Sequence, residues 1–263
     1  MRRETQNILL VLVGGALVKI AVAGTFTRYV RPELRPWLIA TGAVMVALAL
    51  VAIVRDVRAA QRRSTGDPSP EHAHGHEHGH EHGHAHAHPG GDAHGHRPSR
   101  SPWLLLLPVL AIFLVNPPAL GADTVSRSDG RSAAASAGGG ESAFAALPGD
   151  AVVALPLNEL IARTGWDDSG SLTGRTLRLT GFVVHQDGDG YLARLAIRCC
   201  AADAAPLKVR LAGVDVTALA DDQWIEATGQ VRPGTGTKAD GYVPTLDATS
   251  VRVVDQPADP YEY

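Results

Sequence analysis

Cysteine is almost missing from this chain. Two of its 263 residues are cysteine, and they are neighbours, Cys199 and Cys200. A disulfide framework is thereby excluded, because adjacent residues meet the geometry of a bridge to one another only with strain. The C-x-x-C spacing of dithiol oxidoreductases is absent as well. An excess of positive charge is also missing. Residues 1–149 carry 14 Lys/Arg against 11 Asp/Glu, and residues 150–263 carry 10 against 16, a net of −6. An acidic C-terminal half lacks the basic footprint that phosphate binding requires, so nucleic acid is not expected as a partner. Outside one tract, histidine is reduced to His185. A lone histidine at a strand end suits a surface position better than a catalytic one.

The N-terminal part holds the apolar runs. Ile8 to Phe26 is uncharged apart from Lys19, and Pro36 to Val54 is uncharged throughout. Each has the length of a membrane span. The Pro36-Trp37 pair fits an interfacial anchor. A secretory signal is the weaker reading, since a second apolar run follows directly and no A-x-A-like site closes the first. A third run, Trp103 to Ala122, is interrupted by Pro108, Pro117 and Pro118.

The expected organisation is two transmembrane helices within 1–60, a His-rich disordered linker over 61–101 and a third transmembrane helix over 102–122. A flexible tether over 123–149 and a β domain over 150–263 complete it. Arginines set the orientation. Arg2 and Arg3 precede the first run, and Arg55, Arg58, Arg62, Arg63, Arg97 and Arg100 flank the linker. The positive-inside rule then places the linker in the cytoplasm and, with three spans in the plasma membrane, the C-terminal domain outside.

Within the linker, His72, His74, His76, His78, His80, His82, His84, His86, His88, His94 and His96 make up eleven of the twelve histidines. No apolar periodicity accompanies them, so disorder is expected. Imidazoles at every second position of a pliant chain can wrap Zn²⁺ or another transition metal with several nitrogens.

The C-terminal segment reads as strands: Val152 to Leu155, Thr176 to Val184 with a bulge or bend at Gly181, Tyr191 to Ile197, Leu207 to Leu211, Trp224 to Val231 and Tyr242 to Val254. Asp187-Gly188-Asp189-Gly190 makes a hairpin turn, and Pro156 to Arg163 a helix. The expected fold class is therefore a membrane-anchored protein, N-terminal transmembrane α-helices followed by a mainly-β domain. A small OB-like barrel is the preferred form, with a sandwich as the alternative.

The cysteine pair lies at Ile197-Arg198-Cys199-Cys200-Ala201-Ala202-Asp203-Ala204. Its thiols can be free thiols, a strained redox pair, soft-metal ligands or small core residues. A regular strand would turn Cys199 inward and Cys200 outward. A turn would bring both sulfurs and Asp203 together as a metal site, its free N–H groups lowering a thiol pKa. The alanine-rich continuation favours the turn.

Three apolar runs broken by a His-rich linker, then this Cys-Cys-x-x-Asp segment and Trp224-Ile225-Glu226-Ala227-Thr228-Gly229, resemble the YcgQ-like family of uncharacterised membrane proteins, described as permease subunits. The resemblance implies a larger multi-span permease partner and a link to divalent-metal supply, and implies no enzymatic activity. The expected function is a non-enzymatic membrane accessory subunit touching lipid through its helices. A thiol redox protein using Cys199 and Cys200, or a purely structural adaptor, are the alternatives.

Overall fold

The computed structural model describes residues 3–64, 110, 118–128 and 144–263. The chain divides into two compact units, one drawn from Met1–Lys19 and Ile39–Asn116, the other from Ile20–Leu38 and Pro117–Tyr263.

The first unit holds most of two apolar helices, α1 (Arg3–Ala23) and α2 (Arg35–Ser64). Both are long and apolar enough to cross a membrane, over Gln6–Ala23 and Pro32–Arg62, and little of either stretch is buried inside the molecule. Val44, Leu48, Leu50 and Val51 of α2 are each more than half exposed. The helices approach at Gly14 and Gly42. A Cβ on Gly14 would stand 2.8 Å from the Gly42 carbonyl oxygen, and one on Gly42 2.8 Å from that of Gly14. Only hydrogen fits there, the small-residue contact by which helices pack closely in apolar surroundings.

The second unit is mainly β. Its strands are β1 (Val152–Ala154), β2 (Thr176–Gln186), β3 (Asp189–Ala196), β4 (Ala205–Ala212), β5 (Trp224–Val231), β6 (Thr245–Val253) and β7 (Tyr261–Glu262). Five of them close a ring. β2 pairs antiparallel with both β5 and β3, β3 with β4, and β5 with β6, while β4 runs parallel to β6. β1 and β7 extend it through parallel pairs with β2 and β3.

β2 serves two neighbours because it changes partner near Gly181. A Cβ on Gly181 would lie 2.5 Å from the Ala193 carbonyl oxygen and 3.1 Å from the Leu192 side chain. The expected bend is therefore there, whereas the register shift falls between Thr228 and Gly229 of the β5–β6 pair. The β2–β3 hairpin turns on Asp187 (φ 55°) and Gly188 (φ 85°), both in the left-handed region that a tight two-residue turn requires.

Two apolar clusters fill the unit. One joins Leu157, Leu160 and Ile161 of helix α4 (Leu157–Trp166) to Leu177, Leu179, Leu192, Val209, Ile225 and Leu246 of the ring. The other gathers Phe182, Val184, Tyr191, Trp224 and Tyr261 around Ala122 and Val125. These last two belong to a short helix, α3 (Ala122–Ser126).

That helix changes two boundaries. The expected third span lies largely outside the described residues, but its end does not. Leu120 donates to Tyr261 Oη at 3.0 Å and Ala122 to Asp222 Oδ1 at 2.5 Å, so 118–122 packs with the β unit. The expected tether over 123–149 begins inside α3. Near its far end, Ala145 accepts from buried Arg163 at 2.7 Å, with Phe144 under the same guanidinium. Residues 129–143 and the histidine tract lie outside the described residues.

Candidate functional site

β3 stops at Ala196, and the cysteines follow in irregular chain. Cys200 is extended and leads into one 3-10 turn, Ala201–Asp203, after which Ala204 returns to extended backbone and starts the approach to β4. The turn, not a continued strand, is the geometry formed. Cys199 is exposed, Cys200 is half-buried, and both are free thiols whose sulfurs stand 3.5 Å apart.

Asp203 closes the turn on itself. Its Oδ1 accepts the Arg198 N–H at 3.0 Å and its Oδ2 the Cys199 N–H at 2.9 Å. Those backbone donors hold its carboxyl below the usual carboxylate range. The effect on the thiol is the reverse of the one expected at a turn start. The Asp203 carboxylate accepts from the Cys199 thiol and, with the neighbouring Cys200, pushes it up to about 11. The N–H groups that would have favoured a thiolate serve the carboxylate instead.

The structure thus brings Cys199, Cys200 and Asp203 to one corner, with both carboxylate oxygens already accepting backbone hydrogen bonds. Among the described residues, no group of three or more His, Cys, Asp or Glu side chains is placed to hold a metal ion. His185 stands elsewhere, its Nδ1 2.8 Å from Asp221 Oδ1 and its Nε2 3.2 Å from the Val216 carbonyl oxygen.

What the sequence did not disclose is the segment that braces this corner. Between α1 and α2, the 3-10 turns Thr25–Arg28 and Pro32–Leu34 flank Val30, which forms an antiparallel bridge with Cys200. Ala201 N–H donates to the Tyr29 carbonyl at 2.7 Å, and Arg31 N–H to the Cys199 carbonyl at 3.3 Å. The Arg31 guanidinium adds a bond of 3.3 Å to the Arg198 carbonyl and lies over the Tyr263 ring. Thr27 Oγ1 donates to the Ala258 carbonyl at 3.0 Å. The short polar stretch holding Arg28, Arg31, Glu33 and Arg35 is thus a docked element, and the backbone on both sides of the cysteines is tied to it.

The C-terminus contributes a further unexpected group. Buried Glu262 accepts the N–H groups of Leu157 at 3.0 Å and Asn158 at 2.7 Å. It caps α4, whose own N-cap, Pro156, has no side chain able to do so.

Comparison with known families decides the affiliation. Residues 6–130 match the DUF1980 N-terminal domain and residues 166–263 the DUF1980 C-terminal domain. The chain belongs to the DUF1980 family. The N-terminal DUF1980 match takes in α1, the docked segment, α2 and α3. The C-terminal match starts at the last residue of α4 and contains the ring and the cysteine corner. No curated protein and no solved structure matches the chain.

Proposed function

We propose that this DUF1980 protein is a non-enzymatic accessory subunit of a multi-span permease of the YcgQ-like kind, anchored in the plasma membrane and handling a transition-metal ion. The observation that carries this reading is the bridge between Val30 and Cys200. If α1 and α2 both span, the segment joining them is on one side of the membrane, and the β unit hydrogen-bonded to it is on that side too. Arg55, Arg58 and Arg62 at the far end of α2 mark the other side as cytoplasmic. The chain then needs one further crossing between Ser64 and residue 118; we assign it to the apolar run over 103–117, shortened from the expected span because 118–122 packs with the β unit. The β unit faces outward and the histidine tract inward.

The ring supports a binding role. Its pairing order, with one parallel contact between β4 and β6, is that of an OB-type barrel, which we take it to be. The exposed apolar faces of α1 and α2 suit lipid and a larger membrane partner. Metal handling rests on Cys199, Cys200 and the histidine tract. A thiol redox role fits less well, because the C-x-x-C spacing is absent and His185, held by Asp221, stands away from the pair.

The test is affinity purification of the intact protein from its own membranes in mild detergent, with identification of co-purified chains and metal analysis. A stoichiometric multi-span permease together with bound transition metal is the expected result. Recovery of the chain alone and metal-free overturns the proposal.

A further inference from the structure

The geometry points to Cys199 and Cys200 as a two-coordinate site for a soft monovalent cation of the Cu⁺ class, with Asp203 holding the turn and not ligating; this rests on the metal-handling reading above. The donor count argues first. Structural Zn²⁺ sites take four protein ligands and catalytic ones three. No cluster of three such side chains is present among the described residues. Two thiolates, by contrast, suffice for soft d¹⁰ monovalent ions, which accept linear sulfur coordination and select thiolate over oxygen.

Distance argues second. Two sulfurs across a linear ion stand about twice a metal–sulfur bond apart, roughly 4.6 Å with a bond of about 2.3 Å. The observed separation is 3.5 Å, so the sulfurs must part by about 1 Å to take the ion, and exposed Cys199 has open solvent on its side. The backbone at the corner is anchored. It is fixed by Tyr29 and Arg31 on one side and by the Asp203 carboxylate on the other. A soft ion therefore meets two sulfurs already facing the same space, held from two directions. The balance is simple: one cation enters, each thiol gives up its proton to solvent, and the two S–M bonds replace two S–H bonds with no change of oxidation state.

The full chain in detergent, pre-reduced, is titrated with Ag⁺ as a redox-inert probe and separately with Zn²⁺. The readouts are maleimide protection of the two thiols and thiolate-to-metal ultraviolet absorption, neither of which histidine provides. One equivalent of Ag⁺ is expected to protect both thiols and release two protons. Cys199→Ser and Cys200→Ser are each expected to weaken Ag⁺ binding by more than about 100-fold, and Asp203→Asn, which only holds the turn, by no more than about 10–100-fold. Cys200→Ala, checked for folding by circular dichroism, repeats the Cys200 result without a new hydroxyl. Zn²⁺ protection as strong as that of Ag⁺, and lost in Asp203→Asn, overturns the soft-ion assignment while leaving metal handling in place. Protection by neither ion overturns the site itself, and the permease co-purification then decides the accessory role independently.

Discussion

The Tyr261 hydroxyl donates to the Arg28 carbonyl at 3.0 Å, joining the next-to-last strand position of the ring system to the segment between the two apolar helices. The same oxygen accepts the Leu120 N–H at 3.0 Å, so one buried phenol holds two separate stretches of chain on the β unit. Burial raises the Tyr261 phenol above its ordinary value, which keeps the proton that the Arg28 bond uses.

Tyr261→Phe removes both bonds and leaves the ring in place. The Leu120 N–H and the Arg28 carbonyl lose a partner in a partly buried site, at a cost of about 1–3 kcal/mol. Hydrogen exchange should speed up at Arg31 and Ala201, the amides that tie the docked segment to the cysteine corner. Unchanged protection at both would mean that this phenol does not hold the segment.

Asp203→Asn tests the electrostatics of the corner. The carboxylate favours the protonated thiol, so in the wild type Cys199 should alkylate slowly at pH 8 and speed up only as pH nears about 11. A neutral amide removes that bias, and the apparent pKa of Cys199 should fall. Mass spectrometry of each cysteine after timed iodoacetamide labelling reads this directly. Equal rates in the two proteins across that range would remove Asp203 as the cause.

Much of the β unit was legible in its sequence. The alternation of Ile225, Ala227, Gly229 and Val231 marked β5, and Asp187-Gly188 marked the hairpin, because both signals are local. The Cys199–Asp203 turn was legible as one of two alternatives, through its run of alanines. The thiol's direction was not. It depends on which group takes the N–H bonds of Arg198 and Cys199, and that group is Asp203, a few residues on. The docked segment at 24–34 was illegible for a different reason. Val30 and Cys200 are far apart in the chain, and a single bridge leaves no periodic trace. β7 was missed because two residues are too few to show alternation.

Gly181→Ala probes the change of partner in β2. A Cβ there meets the Ala193 carbonyl, which is backbone and has little room to give. Overpacking of this kind costs about 1–3 kcal/mol. The midpoint of urea unfolding of the full chain in detergent should drop accordingly, whereas the same change at Gly149, where a Cβ meets nothing within 4 Å, should leave it nearly unmoved. Equal effects at the two positions would argue against a tight bend at Gly181.

The most direct test of an outward-facing β unit uses the two native cysteines, since the chain has no others. Intact cells carrying the protein are treated with a mild impermeant reductant and an impermeant soft-metal chelator, then with a membrane-impermeant maleimide, and labelling is compared with that after permeabilisation. The account predicts full labelling of the 199–200 pair from outside, in the Asp203→Asn protein at neutral pH, with no gain on permeabilisation. Labelling that appears only after the membrane is opened would place the cysteine corner in the cytoplasm and contradict it.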